Sequence, residues 1–209
     1  MARVNCRHSL HRAAHKMDFR GLTRRALLTC LFGLGLGLPI FDRGTNAARK
    51  KDPRRSRLTP GDQLVFAFGE RAGQAITPQD ISFGERPEFA YPKDPATDTV
   101  RSRFRLNQVL LIRLKPEELS EKTRERSLDG LVCYSAVCTH TGCDVSEWIG
   151  PTQQLVCPCH ASFFDPKNQG RVVGGPAPRP LATLPLEVRD GLLTVKGAFI
   201  GKVGFKKKK

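Results

Sequence analysis

The sequence predicts an all-β domain of small antiparallel sheets with one short helix, preceded by an N-terminal export segment. Short runs rich in branched and aromatic residues recur from residue 64 onward, separated by Gly, Pro and Asp, a pattern typical of strands and turns. One stretch alone carries clear helix signals. Hydrophobic residues make up 39% of the chain, enough for a folded core, so a wholly disordered protein is excluded.

The strands are predicted from composition and from the turn signals at their ends. The expected strands are residues 64–68, 107–114, 130–135, 154–157, 184–189 and 192–196. Asp190-Gly191 separates the last two and is a strong hairpin signal. A helix is expected from Pro116 to Arg126, because proline and acidic side chains favour the first turn. Residues 69–105 give little periodic signal.

The N-terminal segment has the pattern of a bacterial twin-arginine export signal. Arg24 and Arg25 precede a moderately apolar, glycine-containing run over residues 26–41. This run is slightly shorter than the roughly 17 residues that a spanning helix needs. No clean cleavage site follows it, so a cleaved signal and a short uncleaved anchor in the inner membrane both stay open, with the anchor favoured.

The chain is therefore expected to divide into five parts. Met17 lies at a normal distance before Arg24 for such a signal, so residues 1–16 are interpreted as an extension outside the natural product. The parts are the extension 1–16, the signal or anchor 17–42, a flexible basic linker 43–57, the folded domain 58–200 and a basic tail 201–209.

The formal charge of +15 does not indicate a nucleic-acid partner. Much of the excess lies at the two ends of the chain, in residues 1–48 and in Lys206 to Lys209. No basic helix interleaved with aromatic residues and no nucleic-acid fold signature is present, so no nucleic acid is expected to bind. The lysine tail is expected to favour an acidic partner or a lipid surface.

The cysteines and histidines cluster in a way that indicates a metal site. Five of the seven cysteines lie between residues 133 and 159, and the only histidines beyond residue 15 are His140 and His160, inside that cluster. The two segments are Cys138-Thr-His140-Thr-Gly-Cys143 and Cys157-Pro-Cys159-His160-Ala-Ser162. Each supplies one cysteine and one histidine at close spacing, and two thiolates with two imidazoles can hold a [2Fe–2S] cluster.

Two other uses of these cysteines were weighed. A structural zinc site is disfavoured, because the usual Cys-x₂₋₄-Cys and His-x₃₋₅-His spacings are absent and zinc would leave Cys143 and Cys159 without a role. A knot of disulfides alone is also disfavoured. A single bond between Cys143 and Cys159 would instead tie the two segments together, which requires an oxidising compartment. Cys133 is expected to be a small buried apolar residue.

These segments closely resemble the Rieske iron–sulfur family, in its high-potential, cytochrome bc-complex-like branch. Gly174-Gly175-Pro176-Ala177-Pro178-Arg179-Pro180-Leu181 is similar to the family's proline loop, which covers the cluster from a third side. The resemblance implies a Rieske-type fold with a cluster-binding subdomain and one [2Fe–2S] cluster. It also implies that Cys138 and Cys157 bind the inner iron, while His140 and His160 bind the outer iron near solvent.

The same resemblance suggests how the reduction potential is tuned. Ser162 stands where this branch has a serine that donates a hydrogen bond to a bridging sulfide. Phe164 stands where the branch commonly has a tyrosine that donates to a ligand cysteine, which phenylalanine cannot do. Hydrogen bonds to cluster sulfurs raise the potential, so we expect a positive value on the order of +100 to +250 mV.

The function favoured by the resemblance is electron transfer on the periplasmic side of a bacterial inner membrane. The protein is expected to be the iron–sulfur subunit of a quinol-oxidising cytochrome bc-type complex, working with a cytochrome b-type subunit and passing electrons to a cytochrome c. His160 is the predicted docking ligand for quinol, with His140 as the other candidate. Thr141 replaces a leucine common in such subunits, which keeps open a Rieske subunit of another periplasmic oxidoreductase, such as a molybdenum enzyme of the arsenite oxidase type.

Other classes of Rieske protein fit less well. A soluble ferredoxin serving a ring-hydroxylating oxygenase typically stays in the cytoplasm and lacks the second cysteine pair. The large subunits of those oxygenases need an additional iron site with two histidines and a carboxylate. No histidine beyond residue 15 is left for such a site once His140 and His160 are assigned to the cluster, so the large-subunit class is excluded.

Overall fold

The computed structural model describes residues 51–205, which form two antiparallel β-sheets and one helical turn. The N-terminal extension, the signal or anchor and most of the predicted linker lie outside these residues, as do Lys206 to Lys209. Among the described residues, no helix combines the length and the apolar character needed to cross a membrane. The prediction of an all-β fold with one short helix is confirmed.

The strands are short and follow one another along the chain. They are β1 Gln63–Phe66, β2 Glu88–Asp94, β3 Thr99–Val100, β4 Val109–Arg113, β5 Leu131–Ser135, β6 Glu147–Ile149, β7 Gln154–Cys157, β8 Ser162–Asp165, β9 Arg171–Gly174, β10 Leu186–Arg189 and β11 Leu192–Val195. Within residues 51–205 the one α-helix, α1, is Glu121–Arg124. Short 3-10 turns are Pro53–Arg55, Pro78–Asp80, Arg105–Asn107 and Pro116–Glu118.

The smaller sheet is inserted in the chain between two strands of the larger one. The larger sheet has the order β10-β11-β1-β2-β4-β5, with β3 pairing on β2, and the smaller sheet has the order β6-β7-β8-β9. The segment before β10 pairs with β5, since the Leu184 N–H donates to the Cys133 carbonyl and the Ser135 N–H to the Ala182 carbonyl, both at 2.8 Å. The chain therefore returns from the smaller sheet alongside the end of β5.

Two hydrophobic cores follow from the alternation of side chains along β4 and β5. Val109 and Leu111 face an inner core, which also contains residues from β1 and β11 of the same larger sheet. Leu110 and Ile112 face an interface core, which also receives Leu155 and Phe164 from the smaller sheet and contains the buried cysteines Cys138 and Cys157. The interface core thus holds the two sheets together directly beneath the cysteine and histidine cluster.

Cys133 and Tyr134 show how β5 serves both cores. Cys133 is buried in the inner core, and burial raises the pKa of its thiol, so the side chain stays uncharged. Tyr134 lies in the interface core, where its hydroxyl donates to the Pro166 carbonyl at 2.8 Å, and burial likewise raises the pKa of its phenol. Each residue therefore acts as a neutral core side chain.

A buried polar network ties the start of the domain to residues 94–107. The Arg101 guanidinium donates to both carboxylate oxygens of Asp62, at 2.9 and 3.1 Å, and also pairs with Asp94 at 3.3 Å. The Asn107 amide accepts from the Leu58 N–H at 3.0 Å and donates to the carbonyls of Ser56 and Arg101. Because Asp62 is almost completely buried, its charge depends on Arg101.

The helix predicted from Pro116 to Arg126 is much shorter in the structure. Pro116–Glu118 forms a 3-10 turn, and the backbone then becomes extended at Leu119, whose side chain is buried in the interface core. The Ser120 N–H donates to the Lys167 carbonyl at 2.9 Å before α1 begins. Tertiary burial of one leucine has therefore overridden the local helix signals.

The buried ion pair gives a testable prediction about stability. Replacing Arg101 with methionine keeps an apolar stem but leaves the Asp62 carboxylate buried without its cation. We expect the free energy of unfolding, measured by urea denaturation at neutral pH, to fall by about 3–5 kcal/mol. Arg103→Ala, which removes an exposed ion pair with Asp52, is the control and should change it by less than about 1 kcal/mol. Equal losses in the two variants would contradict this assignment.

Candidate metal centre

Three loops of the described domain meet at one site. The first ligand loop, residues 136–146, joins β5 to β6 and carries Cys138, His140 and Cys143. The second ligand loop, residues 158–161, joins β7 to β8 and carries Cys159 and His160. The proline loop, residues 174–181, leads from the end of β9 toward the segment that pairs with β5.

The second ligand loop is a tight hairpin closed by a paired cysteine and serine. Cys157 is the last residue of β7 and lies opposite Ser162, the first residue of β8. Four residues connect them, and Ala161 reaches a left-handed conformation with φ 51° to complete the turn. This geometry keeps Cys157 buried in the sheet while His160 is exposed at the end of the hairpin.

The first ligand loop is a compact turn held by its own backbone. The Cys138 N–H donates to the Cys143 carbonyl at 2.8 Å, and the Gly142 N–H donates to the Cys138 carbonyl at 3.1 Å. Gly142 has φ 86°, which glycine adopts without strain. The turn directs the backbone N–H of His140 at the Cys138 sulfur. The nitrogen lies 3.5 Å from that sulfur and can donate a weak hydrogen bond to it when it is a thiolate.

A disulfide and a pair of imidazoles bring the two ligand loops together. Cys143 and Cys159 are bonded, with their Cα atoms 6.5 Å apart. The sulfurs of this pair and the sulfur of Cys157 lie within 4.8 Å of one another. The rings of His140 and His160 meet edge to face, with their centroids 4.7 Å apart. The structure therefore assembles all the cysteines and histidines singled out in the two sequence segments.

The two kinds of side chain occupy different depths. Cys138 and Cys157 are buried, whereas His140 is half-buried and His160 is exposed. Burial raises the pKa of the Cys157 thiol to about 11, and the neighbouring Cys138 contributes in the same direction. At neutral pH a bound metal must therefore displace a proton from this sulfur, which is the usual coupling between metal binding and thiol ionisation.

Two buried polar atoms at this site have no partner in the protein. Within the described residues three buried side-chain polar atoms lack a hydrogen bond, and two of them are His140 Nδ1 and Ser162 Oγ. Buried polar groups are nearly always satisfied, so these two atoms point to an absent group. An iron would satisfy the imidazole nitrogen and a sulfide would accept from the serine hydroxyl, so the residues present fit an iron–sulfur cluster.

The proline loop closes the site from a third side. Ala177 is buried in the interface core with Cys138 and Cys157. A Cβ atom on Gly175 would lie 2.1 Å from the Ala161 carbonyl oxygen, so the loop can approach the second ligand loop only because this residue is glycine. The Thr139 hydroxyl donates to the Arg179 carbonyl at 2.6 Å and links the proline loop to the first ligand loop.

Four residues with structural roles around the site were missed by the sequence analysis. They are Thr139, Arg105, Arg179 and Phe205. Arg105 and Phe205 contact the first ligand loop, and Arg179 contacts residues 200–205, the segment that packs on that loop. Thr139 lies between two predicted ligands, which is a usable signal. Arg105 and Phe205 are distant in sequence and carry no local pattern, so only the tertiary structure reveals them.

The fold and the site together define an iron–sulfur domain of the electron-transfer type. Residues 98–185 match the family model for the Rieske [2Fe–2S] domain. The chain is 34% identical to the cytochrome bc1 complex Rieske iron–sulfur subunit of Streptomyces lividans, over 63% of this chain and 79% of that protein. The chain belongs to the Rieske family, and its cofactor is one [2Fe–2S] cluster.

Other relatives are longer than this chain. It is 34% identical to the cytochrome bc1 complex Rieske iron–sulfur subunit of Streptomyces coelicolor, over 88% of this chain and 52% of that protein. The chain thus spans about half the length of that relative. Among solved structures, it is similar to the soluble domain of the Rieske protein II of Sulfolobus acidocaldarius, with a TM-score of 0.34 and 21% identity, covering 46% of this chain and 68% of that one.

The close approach at Gly175 gives a second prediction. Gly175→Ala places a methyl group against the Ala161 carbonyl at a backbone φ of 79°, so the proline loop must move away from the second ligand loop. We expect the free energy of unfolding to fall by about 1–3 kcal/mol in denaturant titrations. Gly197→Ala, which meets no atom within 4 Å, is the control and should stay within about 0.5 kcal/mol. A neutral Gly175→Ala would contradict the close contact.

Proposed function

We propose that Cys138, His140, Cys157 and His160 hold the [2Fe–2S] cluster, and that the chain is the iron–sulfur subunit of a quinol-oxidising cytochrome bc-type complex that delivers electrons to a cytochrome c. One observation carries this proposal most directly: two buried cysteines lie beneath two adjacent imidazoles, one of which is exposed. The names of the Streptomyces relatives support the bc-type assignment.

The four side chains suit their proposed roles by depth and by chemistry. The two cysteine sulfurs occupy the buried side, where the protein excludes water, and the two imidazoles occupy the solvent side. The backbone N–H of His140 is oriented toward the Cys138 sulfur, and the Ser162 hydroxyl has no acceptor in the protein. Both groups are therefore free to stabilise added negative charge. When bound, the cluster supplies a carrier for one electron.

The exposed imidazole is the proposed contact for quinol. His160 lies in the second ligand loop, in which residues 158–161 are all exposed. When the outward ring nitrogen of His160 carries no proton, it can accept a hydrogen bond from a quinol hydroxyl and then hold the proton of that hydroxyl. His140 is more enclosed, so a quinol reaches it less readily.

The disulfide supports an exported location. Bonds such as Cys143–Cys159 persist in oxidising compartments and are rare in the cytosol. The Arg24-Arg25 pair and the apolar run over 26–41 would deliver the domain to the periplasmic side of the inner membrane. A basic linker between that segment and the domain would allow the domain to move between a cytochrome b-type subunit and a cytochrome c.

The ligand set is tested by metal analysis and EPR of the purified full chain. We expect iron and acid-labile sulfide in equal amounts, with the EPR signal of a reduced Rieske centre. Cys138→Ala should abolish that signal, whereas Cys133→Ala, a matched buried cysteine in the inner core, should retain it. Zinc in place of iron, or a signal that survives Cys138→Ala unchanged, would contradict the ligand assignment.

The same preparation tests the physiological partners. Purified from solubilised membranes with its natural neighbours, the chain should be recovered with a cytochrome b-type subunit. Recovery with a molybdenum-containing subunit would overturn the bc-type assignment in favour of an arsenite oxidase-type enzyme, and would leave the cluster assignment intact.

Reduction potentials test the role of Ser162. Ser162→Ala removes a hydrogen bond of about 1–2 kcal/mol that favours the reduced state, which corresponds to a fall of roughly 40–90 mV for one electron. Ser162→Thr retains a hydroxyl and is the control, with a smaller change expected. Protein-film voltammetry measures both, and an unchanged potential in Ser162→Ala would mean that this hydroxyl does not reach the cluster.

A hydroxyl can instead be added at Phe164, which is fully buried in the interface core with Cys138 and Cys157. Phe164→Tyr adds a hydroxyl near the two sulfurs, so the potential should rise by a similar amount. A rise is expected only if the new hydroxyl reaches a ligand sulfur, and the absence of a rise would show that it points elsewhere.

A further inference from the structure

Residues 200–205, named here the C-terminal strap, return the end of the described chain to the metal centre. Ile200 and Thr183 exchange two backbone hydrogen bonds, at 2.8 and 3.0 Å, which fix the beginning of the strap beside the proline loop. At Gly201 the backbone runs beside Ala182, since a Cβ atom there would lie 3.6 Å from Ala182 Cα. Residues 201–205 of the strap were assigned from sequence to a basic tail.

Arg179 fastens the strap to the loops around the site. Its guanidinium donates to the carbonyls of Lys202 and Gly204, at 3.2 and 2.7 Å. Its own carbonyl accepts the Thr139 hydroxyl at 2.6 Å. A single residue of the proline loop is therefore bonded both to the strap and to the residue between Cys138 and His140.

The end of the strap lies directly on the first ligand loop. Gly204 is buried, and a Cβ atom at that position would lie 3.3 Å from Val137 Cγ1, next to the ligand Cys138. The Phe205 ring covers Gly142 so closely that a Cβ on Gly142 would be 2.7 Å from its Cδ1 atom. Phe205 is 44% exposed, so it is an outer cover and not part of either core.

Arg105 holds the same point of the loop by polar contacts. Its guanidinium donates to the Gly142 carbonyl and forms an ion pair with Asp144 at 2.6 Å. Gly142 is thus fixed by an aromatic ring and by an arginine. This residue closes the turn by donating to the Cys138 carbonyl, and it immediately precedes Cys143 of the disulfide.

We propose that the C-terminal strap is a positioning element for the cluster, in which Phe205 and Arg179 hold the first ligand loop in its metal-binding geometry. The inference rests on the proposed ligand set. Without the strap, Gly142 loses its cover, and the turn that aims the His140 N–H at the Cys138 sulfur can open. Opening admits water and chelator to the cluster and weakens a hydrogen bond that favours the reduced state.

The experiment compares cluster retention in the full chain and in strap variants. Each protein is purified with its cluster, and the loss of visible absorption is followed in excess EDTA, together with the reduction potential. Phe205→Ala should lose the cluster about tenfold faster than the unchanged chain and show a lower potential. Arg179→Gln, which removes both bonds to the strap, should act in the same direction, and Phe205→Leu should restore much of the retention.

Two controls separate a specific role from a general one. Phe83→Ala removes a phenylalanine that is 50% exposed, similar to Phe205. The Phe83 ring packs against Arg113, and both residues are distant in sequence from the ligand loops. Deletion of Lys206 to Lys209 removes the charge beyond the strap and keeps Phe205. Both should retain the cluster and its potential as the unchanged chain does.

The outcomes distinguish this inference from the proposed function. Suppose that the unchanged chain holds a cluster. If Phe205→Ala and Arg179→Gln then lose it no faster than the unchanged chain and have the same reduction potential, the strap is not a positioning element. The same conclusion follows if Phe83→Ala accelerates the loss equally, because the effect is then one of general stability. If the unchanged chain binds no iron–sulfur cluster, the ligand set itself fails, and this inference fails with it.

Discussion

The metal centre depends on a covalent link between a loop that connects the two sheets and a hairpin of the smaller sheet. The first ligand loop leaves β5 of the larger sheet, and the second is the β7–β8 hairpin of the smaller one. The Cys143–Cys159 bond joins them across 16 residues of sequence, a closure that contributes about 3 kcal/mol in the chain-entropy model. It fixes the separation of the loops whether or not metal is bound, so the ligands are preorganised by the protein.

Close backbone approach is the second requirement, and two glycines permit it. Gly142 lets an aromatic ring cover the first ligand loop, and Gly175 lets the proline loop reach the second. A side chain at either position would push a covering element outward and open the site to water. Exclusion of water matters here because a low local dielectric strengthens each hydrogen bond to a thiolate or sulfide.

The sequence predicted the fold class and the grouping of the cysteines and histidines better than it predicted the individual strands, for physical reasons. Ligands that lie within a few residues of one another form a local pattern, whereas β2 contains Pro92, which argues against a strand. In the structure Pro92 lies opposite Leu64 of β1, between the parts of β2 that pair with β4 and with β3, and its carbonyl accepts from the Arg101 N–H at 2.9 Å. Strands β6, β8 and β9 were not predicted either.

On the proposed ligand set, His140 and His160 differ in how far the surrounding protein covers them. The first ligand loop is contacted by Arg105, by the proline loop and by the C-terminal strap, while the end of the second ligand loop remains open. On the proposed ligand set, His140 is therefore held with its Nδ1 buried, and His160 is the imidazole that a partner can reach. The asymmetry arises from tertiary contacts alone, since both histidines occupy similar positions in their local sequence.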